Sequence, residues 1–454
     1  MPDDSFTPLW LAQPDAVWTG NSEDAGNGLV ILGNRIIELV PTGCMPATSG
    51  YSRFDARGLV LLPGLINCHH HFYQTLTRAF PAAQNRELFD WLKALYPIWA
   101  RIDEEGVHTA TRLALAELLL SGCTTSVDHH YLFSATTGNA IDAQVDAATS
   151  MGARVVLTRG SMSLGVTDGG LPPDSVVQTE ATILADSERL IHRHHQRGDD
   201  AMVQIALAPC SPFSVTPQLM RDVASLAKTS NVLLHTHLAE TADENTFCLQ
   251  QLGMRPLAYL ESVGWLNDRV WLAHGIHFDA NEIQQLGQAG VAVCHCPSSN
   301  MILASGMCPV LELEQAGVNV GLGVDGSASN DHSNMMQEVR QAFLLQRLRY
   351  GSAAVGVDDA LRWATVGGAR LLKRPALGQL AVGKVADLAL FDPAQDLRFS
   401  GAADLIAALV TSGAQAARHV MVNGQWRVRD YTLAGLDLAA LRAKHEAHAR
   451  SLRA

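Results

Sequence analysis

Short apolar runs alternate with segments of helical periodicity along most of this 454-residue chain, and that alternation restricts the fold more than any other feature. The runs are GLVLLPGLIN (58–67), TTSVDHH (124–130), VVLTRG (155–160), VQIALAPC (203–210), NVLLHTH (231–237), RVWLAH (269–274), VAVCHC (291–296) and VNVGLGVD (318–325). Between them lie stretches such as SVTPQLMRDVASLAKTS and DANEIQQLGQAG, which begin with cap-forming residues and end near Gly or Ser. Strands that alternate with helices pair in parallel. Eight such units predict a closed (β/α)8 barrel, a fold that needs about 250 residues. A doubly wound sheet is the alternative, but no GxGxxG opens a helix and no Walker loop is present.

The two ends read differently. PDAVWTG and GLVILGNRIIELV near the start, and LAVGKVADLALFD and RHVMVNGQWRVRD near the end, are β-rich and carry GN and NG turn signals. The expected organisation is a composite β-sandwich domain from residues 1–60 and 377–454, closed by the helical tail LDLAALRAKHEAHARSLRA, around a 61–376 barrel.

Charge and composition narrow the partners. The formal net charge is −12, with 47% hydrophobic and 17% charged residues, which argues against nucleic-acid and anionic-membrane partners. No apolar run approaches the roughly 20 residues of a spanning helix, and MPDDSFTPLW has no signal-peptide pattern. Eight scattered cysteines without a CxxC pair read as reduced thiols, so a cytoplasmic location is expected.

The chemistry sits where the runs end, because a barrel presents its reactive groups at strand C-termini. The first run leads into Cys68-His69-His70-His71. Side chains alternate along a strand, so His69 and His71 share a direction and His70 opposes them. The fifth run ends in His235-Thr236-His237 with Glu240 three residues on, the sixth in His274, and the eighth in Asp325. Each alone reads as a packed histidine or a capping aspartate. Together they form one ring of nitrogen and carboxylate donors, a set that suits Zn²⁺ or Fe²⁺ and leaves room for water. Cys294 and Cys296 lack a second pair and read as packed core thiols.

These residues resemble the amidohydrolase superfamily, and within it the deaminase branch. PGLINCHHHFYQTLTR, ELLLSGCTTSVD, HTHLAET, AHGIHF, HCPSSNMILASG, LGVDGSASND and LGQLAVGKVADLALFD stand in the family's order and cover nearly the whole chain. The resemblance implies a distorted barrel with the composite β-domain. It also implies metal ligation by His69, His71, His237 and Asp325, a proton-shuttling Glu240, and a His274 that contacts the reactive water or the substrate. His70 and His235 match no ligand position. The fourth run, QIALAPCSP, lacks the bridging lysine of two-metal relatives, so one divalent ion is expected, zinc before iron, and no organic cofactor.

The implied reaction is hydrolytic deamination. A metal-activated water attacks a ring carbon that bears an amine, Glu240 protonates the adjacent ring nitrogen, and His274 and Asp325 assist. The HxE and PCxxC arrangement of cytidine-type deaminases is absent. FYQTLTRAFPAAQNRELFDWLKALYPIW supplies amides and aromatics that suit a planar free base. Gln74 and Arg159 are its expected polar contacts, with His274, and Trp91 or Tyr96 a possible wall. CHHHFYQTLTRAFPAAQ, LFDWLKALYPIWAR, GCTTSVDHHYLF, TRGSMSLG and APCSPFSVTP narrow the implied substrate to 8-oxoguanine, going to urate and ammonia. Alkylamine removal from a hydroxy-s-triazine is the runner-up, with guanine deamination beside it. A scaffold that has lost its chemistry is the reading from another class, but it predicts missing ligands, and every position is filled. A homo-oligomer is expected by the same resemblance.

Overall fold

In the computed structural model, which describes residues 7–395, 397–413 and 416–453, the eight expected units form one parallel sheet in strict sequence order. The strands are β1 Leu65–Asn67, β2 Cys123–His130, β3 Arg154–Ser161, β4 Val203–Pro209, β5 Leu234–Leu238, β6 Val270–His274, β7 Ala292–His295 and β8 Val320–Leu322. The circle closes beyond the short β1 and β8. Cys68 N–H donates to Leu322 O at 2.8 Å, and Asp325 N–H donates to His69 O at 3.0 Å. The fold is therefore a distorted (β/α)8 barrel with a sheet-rich domain drawn from the chain ends.

Alternation fills the barrel. Ile66, Val127, Val156, Ala206, Trp271 and Cys294 point inward and form a buried cluster. Trp271 spans it, its indole N–H donating to Cys68 O at 3.1 Å. The helices outside begin and end where capping chemistry allows. Asp279 and Glu282 form a capping box at the start of Ala280–Ala289, and Gly290 ends that helix at φ 71°.

The run GLVLLPGLIN is not one strand. Val60–Pro63 pairs antiparallel with Leu388–Phe391 in an end sheet, and only Leu65–Asn67 joins the barrel. Gly64 is the crossing point: its N–H donates to Asp387 O at 2.9 Å, while that of Leu65 donates to Gly122 O at 3.0 Å. A Cβ on residue 64 would sit 2.0 Å from Thr124 Oγ1, so the crossing requires glycine.

The chain ends form two sheets. One is four-stranded and contains Leu9–Ala12, Gly28–Leu32, Arg35–Leu39 and Ser52–Asp55. The other is six-stranded and combines Ala16–Val17 and Val60–Pro63 with Leu388–Phe391, His419–Val422, Gln425–Arg429 and Thr432–Leu433. Leu11, Leu29 and Ile36 pack against Leu61, Leu388 and Met421 between them. The NG signal is a two-residue hairpin, with Asn423 at φ 54° and Gly424 at φ 74°. The first six residues of the expected 1–60 segment lie outside the described residues.

A buried ion pair clamps the end sheets to the barrel. Arg154, at the start of β3, reaches Asp387 with Nη2–Oδ1 at 3.1 Å, the two side chains being 0% and 3% exposed. Asp387 also accepts from Asn423 N–H at 2.6 Å. Asp387→Ala should cost about 3–5 kcal/mol, because it strands a buried guanidinium. Arg154→Met with Asp387→Leu should recover most of that loss. Chemical unfolding of the four proteins of the cycle checks both expectations, and additive losses would show that the pair is not coupled.

Candidate metal centre and substrate cavity

The three histidines lie just past β1, which ends at Asn67. His70 turns away: its Nε2 is 2.8 Å from Ser333 Oγ, and its Nδ1 accepts the His71 backbone N–H at 2.7 Å. His69 and His71 turn together, their ring centroids 4.7 Å apart. Their Nε2 atoms stand 3.2 and 3.3 Å from Asp325 Oδ1. His237, from β5, brings its Nε2 to 3.2 Å from that of His71. Gly323 makes this approach possible, since a Cβ there would lie 2.8 Å from His69 Cβ.

Hydrogen bonds fix the tautomers. His71 Nδ1 lies 2.6 Å from His129 O and His237 Nδ1 lies 2.7 Å from Cys210 O, so each Nδ1 carries the proton and donates. His69 gets the same result through a relay. His235 Nδ1–H donates to Trp271 O at 2.9 Å, which leaves His235 Nε2 to accept from His69 Nδ1–H at 2.8 Å. The Nε2 lone pairs of His69 and His71 therefore face Asp325, and that of His237 faces His71 Nε2. Burial holds His69 and His237 well below the ordinary imidazole pKa, so both stay neutral at neutral pH.

This donor set fits a divalent cation. Bonds of about 2.0–2.1 Å in a tetrahedral shell put donors about 3.3 Å apart, and the His69–Asp325, His71–Asp325 and His71–His237 separations match. His69 Nε2 is buried without a hydrogen-bond partner. His129 belongs to the same cluster. Its ring stacks on His237 at 4.7 Å and 19°, and its Nδ1 is buried without a partner. Inward alternation from Val127 would have found it in the sequence.

Beside the donors stands a proton-handling pair. Glu240 Oε2 is 3.5 Å from His274 Nε2, which is 3.9 Å from Asp325 Oδ2. Burial, with the Asp325 carboxylate, pushes the Glu240 carboxyl pKa up against the pull of His274. Burial opposes protonation of His274, but Glu240 and Asp325 outweigh it and raise its pKa. Asn300 Oδ1 accepts from His274 Nδ1–H at 2.9 Å. The backbone is strained here: Ala239, His274 and Asp325 have φ of 54°, 71° and 60°. Each such residue costs about 1–3 kcal/mol, a pattern found at functional sites.

These groups face a cavity with ≈ 380 Å³ of empty space, bounded by Leu88, Trp91, Leu92, Tyr131, Phe213 and Leu303. Gln74 lines it, with Oε1 buried and unpartnered. Gly326 leaves space for that amide, because a Cβ would stand 1.9 Å from Gln74 Oε1. Trp91 is in the wall as expected, whereas Tyr96 is buried in the core and does not line the cavity. Tyr131, Cys210, Phe213, Leu303 and Ser329 line it without a sequence signal that singles them out.

Arg159 corrects the sequence expectation, because it does not reach the cavity. Its Nε is 2.6 Å from Asp186 Oδ2, and its guanidinium lies 3.7 Å above the Phe133 ring. Thr158 pairs with His129, which faces inward, so the next residue along β3 faces the helices. Arg159 is thus held in an ion pair away from this cavity.

A closed parallel barrel with histidines and an aspartate at strand ends defines a class, and the comparisons agree with it. The amidohydrolase family model matches residues 60–427, and this chain belongs to that family; it is a hydrolase. The 8-oxoguanine deaminase of Pseudomonas aeruginosa is 60% identical over 443 residues, which cover 98% of each chain. The hydroxydechloroatrazine ethylaminohydrolase of Pseudomonas sp. is 39% identical over 360 residues, 78% of this chain and 74% of that one. The crystal structure of the atrazine chlorohydrolase of Arthrobacter aurescens, complexed with zinc, superposes with a TM-score of 0.90 at 32% identity, covering 97% of this chain and 100% of that one.

The tautomer relay makes a direct prediction. His235→Phe keeps the ring volume but removes the acceptor that orients His69. Zinc affinity, measured by competition with a chelating dye, should fall about 10–100-fold. An unchanged affinity would mean that the relay does not hold His69.

Proposed function

We propose that the chain catalyses hydrolytic deamination of 8-oxoguanine to urate and ammonia. One observation carries the reading. A raised-pKa carboxyl, Glu240, shares a small apolar cavity with His274 and the converging donors of His69, His71, His237 and Asp325. The named relative at 60% identity supports the substrate. His69, His71, His237 and Asp325 would hold a divalent ion, which would lower the pKa of water toward about 7 and so supply a nucleophile at neutral pH. We assign one ion, zinc before iron, supported by the zinc-complexed relative and by β4, which carries no lysine.

The chain's own groups do the rest. Gln74 presents its free Oε1 to an N–H of the oxopurine. Trp91, Phe213 and Tyr131 flank the planar ring and keep bulk water out. Water adds to C2, the carbon that bears the amine, and negative charge gathers on N3. Asp325 Oδ2 and His274 Nε2 orient the water and draw off its proton. Glu240 delivers a proton to N3, so the ring never carries a full anion. The C2 amine then takes a proton and departs as ammonia, and C2 becomes a carbonyl. His274 keeps its Nδ1–H on Asn300 and so presents the same nitrogen throughout.

Hydroxy-s-triazine N-alkylaminohydrolysis is the second reading, favoured by the relative at 39% identity. We place the enzyme in the cytoplasm, in line with eight unpaired cysteines. No helix among the described residues is long and apolar enough to cross a membrane. We also assign a homo-oligomer, consistent with the exposed Leu344 and Leu348, one turn apart on the helix Met335–Tyr350.

Glu240→Gln should retain metal and lose about 10²–10⁴-fold in kcat with 8-oxoguanine, read as ammonia release with metal content measured in parallel. Retained turnover would remove Glu240 from the mechanism. Across 8-oxoguanine, guanine and N-ethyl hydroxy-s-triazines, kcat/KM should be highest for 8-oxoguanine. Ethylamine release outpacing ammonia release would select the second reading instead.

A further inference from the structure

The opposite end of the barrel holds a second cavity, with ≈ 870 Å³ of empty space, that this reaction does not use. It opens at the N-terminal ends of β3 to β6. Val156, Ala206 and Leu233 line it with apolar surface, and Arg197, Arg269 and Arg374 line it with guanidinium groups. The carboxylate of Asp199 and the amine of Lys373 also border it, but Lys373 is bound to Asp268 at 2.5 Å.

The arginines are unusual in this chain. Its net charge is −12, and apart from Arg374 its deeply buried guanidiniums meet carboxylates, Arg154 with Asp387 and Arg159 with Asp186, while Arg269 is half-buried and Arg197 exposed. Among the described residues, no carboxylate lies within ion-pair distance of Arg197, Arg269 or Arg374. Arg269 Nη1 donates to Asn231 Oδ1 at 2.8 Å, and Arg197 Nη2 to Ser230 O at 3.5 Å. Arg374 is only 2% exposed. Its Nε and Nη2 donate to Asp199 O at 2.9 and 2.7 Å, and Nη1 to Gln204 Oε1 at 3.0 Å. Nη2 also donates to Ala201 O at 2.7 Å, which leaves one Nη1 hydrogen without an acceptor. Burial, with repulsion from Arg154, lowers the Arg374 pKa to about 10, so the charge persists at neutral pH.

A guanidinium held out of water whose direct hydrogen-bond partners are all neutral keeps a charge that only the more distant carboxylates of Asp387, Asp199 and Asp200 offset. Two more beside the same cavity concentrate positive potential in an otherwise acidic molecule. Three planar forks exceed what the two oxygens of a carboxylate can accept and suit the oxygens of a phosphate group. We infer that this cavity binds a small phosphate-type dianion through Arg197, Arg269 and Arg374, at a site separate from the reaction centre.

Thermal melts of the metal-loaded enzyme in inorganic phosphate, in glycerol 3-phosphate and in chloride at matched ionic strength test the inference. The comparison protein is Arg197→Ala with Arg269→Ala, whose changes lie outside the reaction cavity, so its turnover reports correct folding. At least one phosphate compound should raise Tm beyond chloride in the wild type. The double variant should bind it about tenfold or more weakly, the loss expected for charge-assisted hydrogen bonds. The tighter of the two compounds assigns the site to the free ion or to a phosphate monoester. Equal shifts in both proteins, or none beyond chloride, would overturn the inference.

Discussion

Three imidazoles are locked in the single tautomer that turns their bare Nε2 lone pairs into one cluster, and the active end of the barrel is arranged around that constraint. The locks are backbone carbonyls of the sheet: His129 O near the end of β2, Cys210 O just after β4, and Trp271 O within β6 acting through His235. The sheet that provides stability therefore also determines protonation. Bare nitrogens near 3.2 Å apart repel one another unless a cation lies between them, so the arrangement is specific to a positively charged guest.

The same constraint explains why the proton carrier sits apart from the donors. Glu240 follows β5 after a left-handed residue, Ala239, and its N–H is tied to Glu244 Oε2 at 2.8 Å. The carboxyl is kept beside the donors without becoming one of them. Burial favours its protonated form, while burial keeps His237 neutral. One low-dielectric cavity thus holds acids and bases in different roles because their hydrogen-bond partners differ.

Much of this was legible in the sequence. Short apolar runs between helical segments predict the barrel, and strand-end positions bring His69, His71, His237, His274, Glu240 and Asp325 into one neighbourhood. The reading failed where one-dimensional pattern carries no information. GLVLLPGLIN is apolar throughout, so nothing in it marks the change of sheet at Gly64; only the close approach of Thr124 does. Arg159 was assigned by its place at a strand end, without regard to parity, and parity turns it outward onto Asp186. The same parity applied to β2 would have identified His129. Phe213 and Leu303 become cavity walls only through tertiary packing, which no spacing encodes.

The crossing at Gly64 has a consequence for how the molecule is made. Val60–Pro63 is paired with Leu388–Phe391, which a ribosome delivers only after the whole barrel sequence has been synthesised. β1 can pair with β2 early, but Val60–Pro63, which leads into it, must wait in the nascent chain for its partner from the far end. Asp325 likewise emerges late. Long-range pairing of this kind slows folding, and here it also delays assembly of the complete ion-binding set. An early fragment of the chain would offer scattered imidazoles to passing ions, whereas the selective arrangement exists only once both termini have met.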